Sequence, residues 1–332
     1  MEPLILVSIA ISFFITYLTL PLWIKKAKQI GLMWEDMNKT ERPKIAGSGG
    51  AMVVLGFSIG VLMYVALQTF IFNSSTHLIE ILALFSVILL VSGIALIDDL
   101  FGWRKGGLSK RSRIILVIFT AIPLMVINAG TSSVFLPIIG GIDLGIIYPL
   151  IFIPMGILGA TTTYNFLAGY NGLEASQGIL VLGALSIVTY ITGNPWLSVI
   201  CLYGVSVLLA FYIFNFHPAR VFPGDIMTYA VGALIATVAI LGNIEKIAII
   251  FFIPYIIEFF LKVRGKLNKP SFGKTNSDGS LEVPYKKMYG LTHISIKILK
   301  KIKGNKKVYE KEVVWLINVF QLIFILIGFL IL

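Results

Sequence analysis

Long apolar runs recur from one end of the chain to the other, separated by shorter polar stretches. Ten are distinguishable: residues 4–24, 47–72, 78–97, 114–128, 144–166, 175–192, 195–214, 226–242, 247–261 and 313–332. A hydrocarbon layer of about 30 Å takes about 20 apolar residues of helix. Unbroken runs, rather than alternation every second residue, argue for helices over a closed barrel. The pattern therefore predicts an all-α polytopic membrane protein of about ten transmembrane helices, one integral unit over residues 1–332. The fourth and ninth runs are short, but Arg113 and Lys262 beside them can reach back to water along their aliphatic stems. The second opens on Gly47-Ser48-Gly49-Gly50, which breaks its start. No basic residue precedes the first run and no small-residue cleavage pattern follows it, which predicts a retained helix.

The polar stretches differ sharply in charge. Lys and Arg number 6 in the first loop, 5 in the third, 1 in the seventh and 14 in the ninth, whereas Lys246 is the sole basic residue of the even-numbered loops. Under the positive-inside rule the odd loops face the cytoplasm of a cell-membrane protein and both termini lie outside. Asp98, Asp99, Glu174 and Asp225 sit in or beside odd-numbered loops, so the chemically capable residues gather on that same face. An acid at a helix centre would cost about 2.5–3.5 kcal/mol on an insertion scale, so charge at the helix ends is the cheaper arrangement.

Composition narrows the alternatives. Of 332 residues 57% are hydrophobic and 13% charged, more apolar side chain than one soluble core can hide. The net charge of +11 does not imply nucleic acid here, because a membrane protein uses basic loops for topology and for anionic headgroups. Cys201 is the one cysteine and stands within an apolar run, which excludes a disulfide framework or thiolate metal site within the chain. His77, His217 and His293 fall in three different loops with no metal-ligand spacing, and none is assigned a catalytic role.

Four polar motifs carry candidate chemistry, each with a plainer reading beside it. Asp98-Asp99 ends the third run; successive helical side chains diverge by about 100°, so one carboxylate can face a site while the other serves a metal or the basic loop. The plainer reading is charge at a water boundary. Asn165-Phe166-Leu167-Ala168-Gly169-Tyr170-Asn171-Gly172-Leu173-Glu174 mixes amides, an acid and glycines that permit close backbone approach, though Asn-Gly also marks ordinary turns. In Arg220-Val221-Phe222-Pro223-Gly224-Asp225, Asp225 reads either as a helix cap or as an oxygen ligand for a hard cation. Gly31 through Lys39, including Asp36 and Met37, reads by itself as a solvated loop. The glycines at 47–50 match neither a Walker A loop nor a dinucleotide fingerprint. In the ninth loop, 262–312, the stretch 294–307 predicts an amphipathic helix in the headgroup plane, with a topogenic charge run as the alternative.

At these residues the sequence resembles the polyprenyl-phosphate N-acetylhexosamine-1-phosphate transferase superfamily, of the glycosyltransferase 4 type. Within it, the sequence is most similar to the eukaryotic and archaeal branch that makes dolichyl-pyrophosphate-GlcNAc for N-glycosylation. The Asn-x-Leu-Ala-Gly-x-Asn-Gly-Leu-Glu string beginning at Asn165 is the most specific match. The resemblance implies Mg2+, with Mn2+ as an alternative, held by Asn165 and Asp225. It implies that Asn171, the backbone near Asp36 and Met37, and the neighbouring Lys39 and Glu174 contact a UDP-sugar. Asp98 and Asp99 would line the reaction centre, Arg113 would face the lipid phosphate, and the ninth loop would cover the nucleotide sugar.

Three departures stand out. Gly102 fills a place that is often Lys, which makes Lys110 a rival of Arg113. Thr162 replaces an Asn, and the ninth loop lacks the Pro-Arg-His-Arg element, offering Lys262, Arg264, Lys266 and Lys269 instead; Arg264 is a candidate substrate contact, and which basic residue meets the pyrophosphate is left open. The implied partners are a UDP-sugar, a polyprenyl phosphate and the bilayer, without nucleic acid; the oligomeric state is open, a homodimer included. The competing reading is a membrane transporter or lipid flippase, which is disfavoured by apolar midplanes with the chemistry at one rim.

Overall fold

The computed structural model describes residues 2–136 and 140–332. In chain order it contains α1 (Pro3–Ile30), the hairpin β1 (Met33–Glu35) and β2 (Lys44–Ala46), α2 (Gly50–Phe70), α3 (Leu78–Lys105), α4 (Lys110–Phe119) and α5 (Ile122–Val126). A second hairpin, β3 (Ser133–Leu136) with β4 (Gly140–Asp143), leads to a π-helical turn over Tyr148–Phe152 and α6 (Ile153–Phe166). Then follow α7 (Leu173–Ile191), α8 (Pro195–Asn215), α9 (Gly224–Gly242), α10 (Glu245–Phe251) and α11 (Ile253–Arg264). A short hairpin of β5 (Lys274–Thr275) and β6 (Leu281–Glu282), α12 (Leu291–Ile302) and α13 (Glu310–Ile331) complete the chain.

Among the described residues seven helices are long and apolar enough to cross a membrane: α1, α2, α3, α7, α8, α9 and α13. The other three expected spans are each broken in two, as α4 with α5, the π-helical turn with α6, and α10 with α11. Each second piece carries a proline in its first turn: Pro123, Pro154 and Pro254. There the missing N–H is harmless, but the ring forbids the hydrogen bond that would have continued the preceding piece.

The centre of the bundle is α9, the most buried of the seven, flanked by α2, α3, α6, α7, α8 and α10. Gly232 lets it approach α6: a Cβ there would lie 2.7 Å from the Ala160 carbonyl oxygen. On the outer side, Ser8, Ser12 and Thr16 of α1 face Gly56 of α2 and Tyr203 of α8, and Ser12 Oγ donates to the Gly56 carbonyl at 2.8 Å. In lipid, helices gain little by hiding apolar surface from one another, so small residues and hydrogen bonds of this kind bring them together.

Two expectations are corrected. The first loop is not a solvated coil: Met33 pairs with Ala46 and Glu35 with Lys44, and the turn between them buries Asp36 and Asn38. The amphipathic helix exists as α12, but it does not simply lie among headgroups. Ile296 and Leu299 pack inward, toward α11, α13 and β6, while Ile298 and Ile302 face outward. Its N-terminus has no cap of its own; instead the fully buried Glu258 of α11 accepts the Leu291 N–H at 2.6 Å.

Candidate active site

A cleft of about 710 Å3 opens where four chain segments meet: the turn between β1 and β2, the loop from α6 to α7, the first turn of α9, and the ninth loop through Phe272. Its walls are rich in oxygen: Asp36, Asp99, Asn165, Glu174 and Asp225 all line it, and Met37 does as well. The segments are hundreds of residues apart in places, and the bundle alone brings them together.

The two consecutive aspartates diverge as helical geometry demands. Asp99 accepts the Asp225 N–H at 2.9 Å and the Ser48 hydroxyl at 2.9 Å, so it caps the free amide end of α9 from another helix. Gly224 makes room for this. Its φ is +70°, and a Cβ would sit 2.2 Å from Asp99 Oδ2. Asp98 turns the other way, accepts the Leu108 N–H at 2.5 Å and pairs with Arg113. It does not line the cleft. Arg113, in the first turn of α4, also reaches Asp225 Oδ2 at 3.3 Å and so joins two carboxylates.

Asp225 does not cap its own helix. Its side chain makes no cap bond; it meets Arg113 with one oxygen and the Asn165 carboxamide, 3.1 Å away, with the other. Thr228 Oγ1 lies 2.9 Å from Asn165 Oδ1 and donates to the Asp225 carbonyl at 3.1 Å. A hydroxyl has one proton, so a Thr228 that gives it to the carbonyl can only accept from Asn165. Turning the carboxamide over satisfies that and points its oxygen at Asp225. As placed, the carboxamide nitrogen donates to Asp225 Oδ1 at 3.1 Å; with the carboxamide turned over, its oxygen would take that position, a spacing close to the edge, roughly 3 Å, of an octahedron with bonds of about 2.1 Å. The pair therefore fits a small hard divalent cation. Among the described residues no group of three or more His, Cys, Asp or Glu side chains could hold a metal, so a cation here would complete its shell with water or with oxygens of a bound ligand.

The loop from α6 to α7 is braced on all sides. Gly169 and Gly172 adopt φ of +102° and +85°, which turns the intervening amides outward. Each is received by a side-chain oxygen: Gly169 N–H by Glu174 at 2.8 Å, Asn171 N–H by Glu310 at 2.8 Å and Gly172 N–H by Asn215 at 3.1 Å. The other Glu174 oxygen is buried without a hydrogen-bond partner. The Asn171 carboxamide donates to Asp36 at 3.0 Å, and Asn171 lies behind that carboxylate rather than in the wall of the cleft. Asn38 ties three loops, donating to the Gly169 carbonyl at 2.8 Å and accepting the Gly273 N–H at 3.2 Å.

The remaining candidates lie further out. Lys39 contacts Glu310 and His217 rather than the cleft. Lys110 is exposed and reaches Asn268 at 3.4 Å, and Arg264 is exposed at the end of α11; neither lines the cleft. Sequence reasoning did not single out Ser48, Thr228, Glu310 or Phe272. Glu310 stands in a lysine-rich stretch and carries no local signal of its partner 139 residues away.

Comparison with known proteins points the same way. The pattern of glycosyl transferase family 4 matches residues 81–243. A protein of Saccharolobus solfataricus, provisionally named a UDP-N-acetylglucosamine–dolichyl-phosphate N-acetylglucosaminephosphotransferase, is 36% identical over 93% of this chain and 92% of its own. A Dictyostelium discoideum protein of the same name is 30% identical over 75% of this chain and 69% of its own. A phospho-N-acetylmuramoyl-pentapeptide-transferase of Geobacillus thermodenitrificans is 28% identical over 77% of this chain and 81% of its own. Relatives that share nearly the full length, and a family pattern covering α3 to α9 where Asp99, Asn165 and Asp225 converge, establish that the chain belongs to glycosyl transferase family 4.

Proposed function

We propose that this chain is a Mg2+-dependent transferase that moves GlcNAc-1-phosphate from UDP-GlcNAc to dolichyl or another polyprenyl phosphate, releasing UMP and beginning a lipid-linked oligosaccharide for N-glycosylation. The names of the relatives support the substrates. The observation that carries the reading is the Asn165–Asp225 pair, set in the wall of a cleft large enough for a nucleotide sugar.

In this reaction an oxygen of the lipid phosphate bonds to the β-phosphorus, and the bond from that phosphorus to the bridging oxygen breaks, leaving with UMP. Asn165 and Asp225 would hold Mg2+ (or Mn2+), which when bound draws charge from the pyrophosphate oxygens. Asp99 fixes the first turn of α9 and with it the direction of Asp225. Arg113 supplies positive charge on α4, whose Ile114 and Ile115 face outward, a suitable approach for a lipid phosphate. Asp36 and the braced loop would receive the nucleotide. A lipid phosphate ionised near neutral pH needs no strong base, which suits an Asp98 and an Asp99 that are both already engaged.

If each of the three broken segments also completes a crossing, the chain crosses ten times. The basic odd loops and the cleft then share the cytoplasmic side, and both termini lie outside. Purified protein with UDP-GlcNAc, Mg2+ and a polyprenyl phosphate should release UMP. Asp225→Ala should lower turnover by about 100- to 1000-fold while the protein stays folded in detergent. Wild-type turnover in that variant would remove Asp225 from the metal site, and no UMP from any nucleotide sugar would end the transferase reading.

A further inference from the structure

Behind the cleft, three distant pieces of chain close a ring of charge. Asp36, in the turn between β1 and β2, accepts the Asn171 carboxamide at 3.0 Å. The backbone N–H of the same Asn171 donates to Glu310 Oε1 at 2.8 Å. Glu310 Oε2 contacts the Lys39 ammonium, which lies 3.6 Å from Asp36 Oδ2 and so returns to the start. His217 Nδ1 stands 3.1 Å from both the Lys39 nitrogen and Glu310 Oε2. Glu310 is 3% exposed and Asp36 is 3% exposed, so neither charge is dispersed by water. Of the ring members Asp36 alone lines the cleft.

We propose that Glu310, at the start of α13, is a positioning residue for the nucleotide-sugar end of the cleft. It holds the Asn171 backbone and draws Lys39 away from Asp36, so that the Asp36 carboxylate in the cleft wall is held by the Asn38 N–H and the Asn171 carboxamide rather than covered by the ammonium. This rests on the transferase reading. The argument is one of charge sharing. Two buried carboxylates compete for one ammonium, and the ammonium sits nearer Glu310. A buried charge that loses its partner seeks another. In Glu310→Gln the amide oxygen can still accept the Asn171 N–H, but the ammonium has Asp36 as its remaining carboxylate and moves onto it. The Asp36 carboxylate in the cleft wall is then neutralised by the ammonium, while every residue that touches the cleft remains in place. A role in binding rather than in the chemical step predicts an effect on KM and not on kcat.

The test uses the full chain purified in detergent, with UMP release measured while UDP-GlcNAc and the polyprenyl phosphate are varied in turn. Glu310→Gln should raise KM for UDP-GlcNAc about tenfold, leave kcat within about twofold, and leave KM for the lipid phosphate unchanged. Glu310→Gln combined with Lys39→Met, which removes the displaced ammonium, should return KM to within about threefold of wild type. An unchanged KM in the single variant, a fall in kcat at constant KM, or a double variant no better than the single would each overturn the proposal. Should the single variant not survive purification, the double decides by itself: KM near wild type supports the proposal, and a tenfold rise overturns it. A wild-type protein that releases no UMP would sink the transferase reading instead. The ring would then be judged by hydrogen exchange, where Glu310→Ala should speed exchange at the Asn171 amide and an unchanged rate would overturn it.

Discussion

Single atoms decide much at this site. Asp99 is a buried acid and Asp225 a part-buried one, both at the ends of apolar helices, yet one is spent as a cap for the other's helix. The sequence motif Pro-Gly-Asp suggests that the acid caps its own helix, and that reading fails because a left-handed Gly224 turns the α9 terminus toward Asp99. Gly224→Ala meets both a disfavoured backbone and an atom 2.2 Å away. It should therefore cost at least about 1–3 kcal/mol of stability and displace Asp225. A thermal melt in detergent together with UMP release checks this; wild-type values in both would mean that the close approach is relieved without consequence. The candidacy of Asp225 and Asn165 was legible from residue type and position, and that of Asp36 only from the resemblance of its motif to a known family. Ser48, Thr228 and Glu310, which hold Asp99, Asn165 and the Asn171 backbone, were not, because a serine, a threonine or an acid amid lysines signals nothing until its neighbour in space is known.

At the scale of elements, α12 shows how the ninth loop is built. Its face was legible from the spacing of Ile296 and Leu299; what covers that face was not, since headgroups and a protein surface reward the same pattern. The cap comes from α11, through Glu258. Glu258→Ala should leave the Leu291 amide unmet at a buried helix end and cost about 1–3 kcal/mol of local stability, seen as faster exchange across α12 with α1 to α9 unaffected. His293, also in α12, is fully buried, with Nδ1 accepting the Tyr289 N–H and Nε2 facing the Phe272 carbonyl at 3.4 Å. Burial holds its pKa below the ordinary 6.5. The unfolded loop thus takes up a proton more readily than the folded one. Stability contributed by neutral His293 is full above 6.5 and is lost as pH falls from there toward the lowered folded value. Exchange over residues 265–303, corrected for intrinsic rate, should rise between pH 7.5 and 5.5, and His293→Gln should flatten that rise. A rise of equal size in the variant would assign it to another group.

For the whole molecule the testable quantity is topology. Cys201 is buried in α8, so replacing it with serine gives a clean background for single cysteines. In intact cells a membrane-impermeant maleimide should label Ser75→Cys, in the loop before α3, and spare Lys266→Cys, in the ninth loop, until the membrane is opened. The reverse pattern would invert the protein, and labelling of both would add or remove a crossing. What the chain determined by itself is the succession of apolar runs of membrane length and the alternation of basic and nearly uncharged loops between them; the breaks beside Pro123, Pro154 and Pro254 emerged only in the structure. The runs and the alternation are one-dimensional, because the bilayer is a solvent that reads each segment separately. The cleft is another matter. Asp36, Asp99, Asn165 and Asp225 come from four segments, and their meeting depends on how α9 packs among α2, α3, α6 and α7. Only tertiary packing decides which acid becomes a cap, which a strut and which faces the cleft, since each must find a partner once water is gone.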